Sequence, residues 1–225
     1  MFKIWTSNSV NFSEGIHTFL NPYSYLSARK HKELFNQFDY IHIDGIALSF
    51  FLKLIGINAT RRSFDMTSIA PKLFEYCQEK EKSIFFIGAK SVEIDNSIKI
   101  FRNAYSSLNI VGYRDGYVKG EWDISMEKII ELNPDFVVVG MGTPMQEKYL
   151  VELKNKGFKG VGFTCGGFLH QSQKNIHYYP VFFDKLNIRW IYRIIDEPKL
   201  IKRYFIDYPK FVFYFLCDVC KKKMN

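Results

Sequence analysis

Five short apolar runs punctuate the chain: YIHIDG, SIFFIGA, NIVGYRDG, DFVVVGMG and GVGFTCGG, each with a glycine at or near its end. They are rich in β-branched and aromatic residues and nearly continuous in apolar character, as strands covered on both faces of a parallel sheet are. Before each run the pattern changes to helical spacing, in NPYSYLSARKHKELFNQF, TSIAPKLFEYCQEK, SVEIDNSIKIFRNAYSS, SMEKIIELN and MQEKYLVELKNKG in turn. Apolar residues there gather on one helical face, as Ile129, Ile130 and Leu132 do, or Tyr149, Leu150 and Leu153. The alternation predicts an α/β fold, a doubly wound, mostly parallel sheet flanked by helices. No internal repeat or low-complexity linker interrupts it.

An open α/β sheet holds its ligand outside the carboxyl ends of its strands, so the residues that follow each run carry the candidate chemistry. In VVGMGTPMQE, residues 138–147, a β-branched run gives way to Gly140 and Gly142 and then to Pro144, Gln146 and Glu147. Gly88 after IFFI, with Gly140 and Gly142 after VVV, would let backbone N–H groups approach a diphosphate. Gln146 supplies a neutral amide able to hydrogen-bond a sugar or a base without a metal. Glu147 either orients a neighbour or begins the next helix, where an acid is favourable. Asp44 ends YIHIDG and precedes Gly45. Partial burial of a carboxylate at that edge raises its pKa while leaving it open to substrate, which suits a general base; aspartate is also a common turn former. Neither G-x-G-x-x-G nor G-x-x-x-x-G-K occurs, which excludes the dinucleotide fingerprint and the P-loop.

The pattern changes near Tyr178, and the predicted division is an α/β core over residues 1–180 with a basic, aromatic, helical C-terminal appendage over 181–225. The formal charge is +8. Residues 185–225 hold ten Lys or Arg against four Asp or Glu, so most of that excess is local. An anionic partner is expected: nucleic acid, a phosphorylated small molecule or a lipid surface. Trp190, Tyr204, Phe205, Phe211, Phe213, Tyr214 and Phe215 mixed with lysines suit a bilayer interface, and FVFYFLCDVC is too short to span one. The competing expectation is a helix that packs these aromatics on the sheet and leaves its lysines in water. With 225 residues, 47% of them hydrophobic, the chain buries a real core. MFKIWTSNSV lacks the apolar core of a signal peptide, which points to the cytoplasmic side. Of the four cysteines only C-D-V-C is a close pair, and no second pair completes a metal site; reduced thiols are expected.

IDG at 43–45, GMGTPMQE at 140–147, GVGFTCGGF at 160–168 and RWIYRIIDEPKLIKRY at 189–204 together resemble, in order and spacing, the WecG/TagA/CpsF glycosyltransferases, glycosyltransferase family 26. The resemblance covers roughly residues 15 to 210. It implies transfer of a sugar, N-acetylmannosamine or a hexose such as glucose, from a UDP-sugar to a polyprenyl-diphosphate-linked acceptor, with inversion at the anomeric carbon and no metal or other cofactor. It places the base at Asp44, the P-x-Q-E glutamine at Gln146, and diphosphate-neutralising arginines at Arg193 and Arg203, with Lys199 and Lys202 nearby. A substrate-contacting Thr before an N-P turn corresponds to Thr18, with Asn21 as the turn residue and Phe19 at the position the family gives to Thr. R-x-x-G-x-D becomes TRRSFD, which keeps Asp65, shifts the arginine to Arg61 or Arg62 and puts Ser63 in place of glycine. R-A-P becomes YYP with Tyr178, and L-E-W becomes IRW with Arg189 for the acid. The implied setting is the inner face of the cell membrane, with an anionic membrane surface as a partner, no nucleic acid, and a homo-oligomer left open. The rival expectation is a noncatalytic basic module binding nucleic acid or anionic lipid, drawn from the charge and the aromatic tail.

Overall fold

The computed structural model describes residues 2–7, 9–117, 120–186 and 188–224, with the backbone alone for 222–224. The strands are β1 (Ile16–Leu20), β2 (Tyr40–Ile43), β3 (Ser83–Gly88), β4 (Asn109–Arg114), β5 (Phe136–Gly140) and β6 (Val161–Thr164). They form one sheet in the order β2-β1-β6-β5-β3-β4, and every neighbouring pair is parallel. The five runs expected from periodicity are all there, and β1 is an addition. Its sequence, IHTFL, hides from a hydropathy reading because His17 and Thr18 are polar yet fully buried.

The helices are α1 (Pro22–Lys30), α2 (Lys32–Phe35), α3 (Ile46–Leu54), α4 (Ile69–Glu79), α5 (Ser91–Ala104), α6 (Trp122–Leu132), α7 (Met145–Asn155), α8 (Phe168–Ser172), α9 (Val181–Lys185), α10 (Arg189–Asp196) and α11 (Tyr208–Met224). A 3₁₀ turn, Pro198–Leu200, and a π-type turn, Arg203–Asp207, lead into α11. Helix starts and stops follow local chemistry: Asn21 caps α1 by accepting from Ser24 N at 2.9 Å, with Pro22 preorganised at the first helical position. Asn133, in the left-handed conformation, ends α6 ahead of Pro134. α3 is a second element absent from the periodicity reading.

Strand alternation divides the core into two layers. Phe85, Ile87, Val137 and Val139 face α1, α3, α6, α7 and α11, whereas Ile84, Phe86, Phe136 and Val138 face α4, α5 and α8. The helices leaving β3 and β5, α5 and α7, therefore cover opposite faces, and a crevice opens between those strands at their carboxyl ends, as at any topological switch point. The backbones come together there: a Cβ on Gly88 would lie 2.3 Å from the Gly140 carbonyl oxygen, so glycine is required.

The C-terminal helix corrects one expectation. Phe211 and Phe215, expected in the bilayer, are each 1% exposed and pack on Tyr25 and Phe51. Asp218 fixes the docking, accepting from Arg29 Nε at 2.6 Å and from the Tyr25 hydroxyl at 2.8 Å. The outer side keeps Phe213 and Tyr214 exposed, with Lys221 beyond; the side chains of Lys222 and Lys223 lie outside the described residues.

Candidate active site

Two cavities, of about 670 and 440 Å³, meet over the carboxyl edge of the sheet. Asn21, Asp44, Asp65, Tyr179, Arg193 and Arg203 line both. Local structure delivers each of them. β2 ends at Ile43, and Gly45, at φ +89°, turns the chain sharply into α3 so that Asp44 stays at the junction. Residues 61–65 run beside that end: Ile43 bridges to Arg61, and Arg62 N donates to the Ile43 carbonyl at 2.7 Å. Arg61 thereby enters the larger cavity, while Arg62 turns away, 6% exposed, to donate to the Ser7 carbonyl. Of the two arginines left open by the sequence, Arg61 is thus the one that lines a cavity. Arg193 comes from α10 and Arg203 from the π-type turn, both parts of the C-terminal segment folded back over the sheet.

The junction concentrates charge. Burial, reinforced by repulsion from Asp65, raises the Asp44 carboxyl to about 6 against the opposing pull of Arg61, Arg193 and Arg189. Asp65 is held by Thr67, whose N–H and hydroxyl both donate to it, and by Arg189 at 3.4 Å, which also pairs with Asp184. The Arg61 and Arg193 Nε atoms are buried with no hydrogen-bond partner among the described residues, and Arg203 lies 4.0 Å above the Tyr23 ring. Guanidiniums gathered along a cavity of this kind suit an anionic ligand.

The walls differ beyond the junction. The larger cavity is apolar on its outer side, where Ile46 and Phe50 of α3 face Trp190 and Phe205 across the opening, all substantially exposed. The smaller cavity is polar: Gly140 ends β5, Gly142 and Thr143 lie in the β5–α7 turn, Gln146 in the first turn of α7, Thr164 ends β6 and Gly166 follows it. Its far side holds Lys90, His170 and Lys199, with His170 3.0 Å from Glu93. Among the described residues no cluster of three or more His, Cys, Asp or Glu is placed to hold a metal ion.

Of the residues proposed from sequence, nine line the cavities; Thr18, Gly88 and Glu147 do not. These three are buried: Thr18 within β1, Gly88 at the end of β3 against Gly140, and Glu147 beside Gln146 in the first turn of α7. Lys199 lines the polar cavity and pairs with Glu197 at 3.1 Å, whereas Lys202 is exposed and lines neither. Sequence reasoning missed Tyr179, Tyr204 and Tyr208, the aromatic wall beside Asp44, and His170 with Glu93. Nothing in local periodicity marks them; their partners come from distant elements.

The Glycosyl transferase WecG/TagA/CpsF family model matches residues 5–225. A UDP-Gal:alpha-D-GlcNAc-diphosphoundecaprenol beta-1,4-galactosyltransferase from Shigella boydii is 36% identical over 210 residues, spanning 91% of this chain and 86% of its own. Two N-acetylglucosaminyldiphosphoundecaprenol N-acetyl-beta-D-mannosaminyltransferases are each 28% identical: that of Bacillus spizizenii covers 81% of this chain and 70% of its own, that of Bacillus subtilis 91% and 80%. Among solved structures, an extracellular ligand-binding receptor from Rhodopseudomonas palustris is 16% identical with a TM-score of 0.33, over 66% of this chain and 42% of its own, too loose a likeness to bear on function. The α/β sheet, the Asp44 junction and a family match over nearly the whole sequence lead to one assignment: this chain belongs to the WecG/TagA/CpsF family of glycosyl transferases.

Proposed function

We propose that the enzyme transfers a hexose or N-acetylhexosamine from a UDP-sugar in the polar cavity to a polyprenyl-diphosphate-linked saccharide entering by the apolar cavity, with inversion and without a metal. The observation that carries this reading is the junction: two carboxylates, Asp44 and Asp65, line both the polar and the apolar cavity with Arg193 and Arg203, and Asp65 is taken up by Thr67 and Arg189, which leaves Asp44 for the acceptor. Asp44 removes the proton from the acceptor hydroxyl, the freed oxygen bonds to the anomeric carbon, and the bond from that carbon to the diphosphate breaks with its electron pair leaving on UDP. The developing charge falls to Arg193, Arg203 and Arg61, whose fixed guanidiniums do the work assigned elsewhere to a cation. Tyr179, Tyr204 and Tyr208 crowd the junction and limit water, which would otherwise compete with the acceptor. The relatives' names, one for galactose and two for N-acetylmannosamine transfer, bound the donor class.

The apolar mouth formed by Ile46, Phe50, Trp190 and Phe205 suits a lipid-linked acceptor and the surface of an anionic bilayer. This moves the membrane contact from Phe211 and Phe215 to the rim of the site. Among the described residues no helix is long and apolar enough to cross a membrane; the attachment proposed here is peripheral, at the inner face. A noncatalytic basic module is not favoured, because the arginines converge on the two cavities that meet at Asp44 and the family match spans the chain.

The test is Asp44→Asn assayed with UDP-sugars and an acceptor analogue, alongside UDP binding. Turnover should fall by ~10²-fold or more while UDP affinity stays within about threefold. Because the raised carboxyl must be ionised to accept a proton, the wild-type rate should drop as pH falls through about 6, and Asp44→Asn should lose that limb. Near-normal turnover in the variant would exclude Asp44 as the base.

A further inference from the structure

Glu147 is 0% exposed, and among the described residues no cation comes within ion-pair distance of it. A carboxylate taken so fully out of water is costly unless donors surround it. Three do. The Thr18 hydroxyl donates to Oε1 at 3.2 Å, the Gln146 amide to Oε1 at 2.9 Å, and the Thr143 hydroxyl to Oε2 at 2.6 Å. Two further bonds extend the cluster: Thr164 donates to the Thr18 hydroxyl at 3.0 Å, and Gly166 N donates to Gln146 Oε1 at 3.0 Å. The participants belong to β1, the β5–α7 turn, the first turn of α7 and the end of β6, which meet only in the folded sheet.

We infer that Glu147 is a positioning residue, presetting the polar wall of the smaller cavity by gathering Thr18, Thr143 and Gln146 onto one buried carboxylate. Thr143, Gln146, Thr164 and Gly166 line that cavity and Glu147 does not, so whatever it does for a ligand it does through them. Its action on Gln146 is the most defined. A carboxylate accepts only, so the nitrogen end of the Gln146 amide must face it; Gly166 N–H donates only, so the oxygen end must face Gly166. Both bonds select the same orientation. One N–H and one lone pair of Gln146 then remain, in fixed directions, for a ligand. The inference rests on the reading that the donor nucleotide occupies this cavity.

The test is a cycle of Gln146→Ala, Glu147→Met and the double variant, read by calorimetric UDP affinity, with Glu147→Gln as the conservative rescue. Gln146→Ala should weaken UDP by about tenfold or more and Glu147→Met similarly, since the loss of a fixed hydrogen bond is worth that much. The double variant should be no more than about twofold weaker than the poorer single, as expected of residues acting as one unit. Glu147→Gln can keep its carbonyl oxygen toward Thr18 and Gln146, and should bind UDP within about threefold of wild type. Penalties that multiply in the double variant, wild-type affinity in Glu147→Met, or a Glu147→Gln as weak as Glu147→Met would each overturn the inference while leaving the donor reading intact. Should Glu147→Met not fold, Glu147→Asp replaces it in the cycle, keeping the charge but ending one methylene short of the donors. Wild-type affinity in Gln146→Ala would remove the donor reading and this inference with it.

Discussion

His17 and His42 share a ring hydrogen bond of 2.9 Å inside the sheet, stacked among Tyr40, Phe163 and Phe19. Burial pushes His17 down to about 3; burial, His17 and Arg62 push His42 down to about 2. Both are neutral in the fold, and the unfolded chain takes up their protons below an ordinary histidine pKa of about 6.5. Their contribution is therefore complete above that pH and is lost progressively as pH falls toward the depressed values. The raised carboxyls of Asp44 and Glu147 act in the opposite sense, binding protons in the fold before the unfolded chain does. The pair is thus visible as a difference: between pH 7.5 and 5.5, wild type should lose roughly 2–3 kcal/mol more stability than His17→Phe/His42→Phe. Parallel denaturant-midpoint curves for the two proteins across that range would disprove it.

At the scale of elements, α11 shows how one amphipathic helix sorts its aromatics. Phe211 and Phe215, four residues apart, share the face against α1 and α3, and Phe213 stands on the other. Replacing Phe211 by Ala should cost about 3–5 kcal/mol, a fall of roughly 6–20 °C in Tm for a chain of this size. Phe213→Ala should shift stability by less than ~0.5 kcal/mol. Equal effects of the two substitutions in thermal melts would mean that the helix docks by another face. Removing residues 208–225 would uncover Tyr25 and Phe51 and leave Arg29 without Asp218, so an undamaged core is not expected after that truncation.

At the scale of the molecule, the C-terminal segment is both cover and wall: Arg193, Tyr204 and Tyr208 complete the junction that β2 and residues 61–65 begin. The apolar opening lies between α3, in the first quarter of the chain, and residues 190–205, so the surface proposed to meet the bilayer exists only when both ends are folded together. Phe50→Ser/Phe205→Ser should lower binding to vesicles containing anionic phospholipid by about tenfold or more, from the lost burial of two aromatic side chains, and leave transfer to a water-soluble acceptor within about threefold. Undiminished vesicle binding would move the membrane contact elsewhere, with the exposed Phe213 side of α11 the next surface to test.

The local pattern alone determined much of this protein. Five strands, their order in the chain, and Asp44, Gly140 and Gly142 at or just past strand ends, with Gln146 soon after, were legible, since a run of apolar residues and its terminating glycine are written within a few positions. The family resemblance, not the local pattern, pointed to Arg193 and Arg203, and both line the cavities. Tertiary structure decided what depends on partners far away. β1 was illegible because His17 is satisfied by His42, 25 residues on, and Thr18 by Glu147, 129 residues on; without those partners the same polar residues read as a loop. The face of α11 was undecided for the same reason, its aromatics fitting a bilayer or a core equally until Tyr25 and Phe51 were seen to cover two of them. Apolar periodicity records that a side chain is buried, and only the assembled sheet says against what.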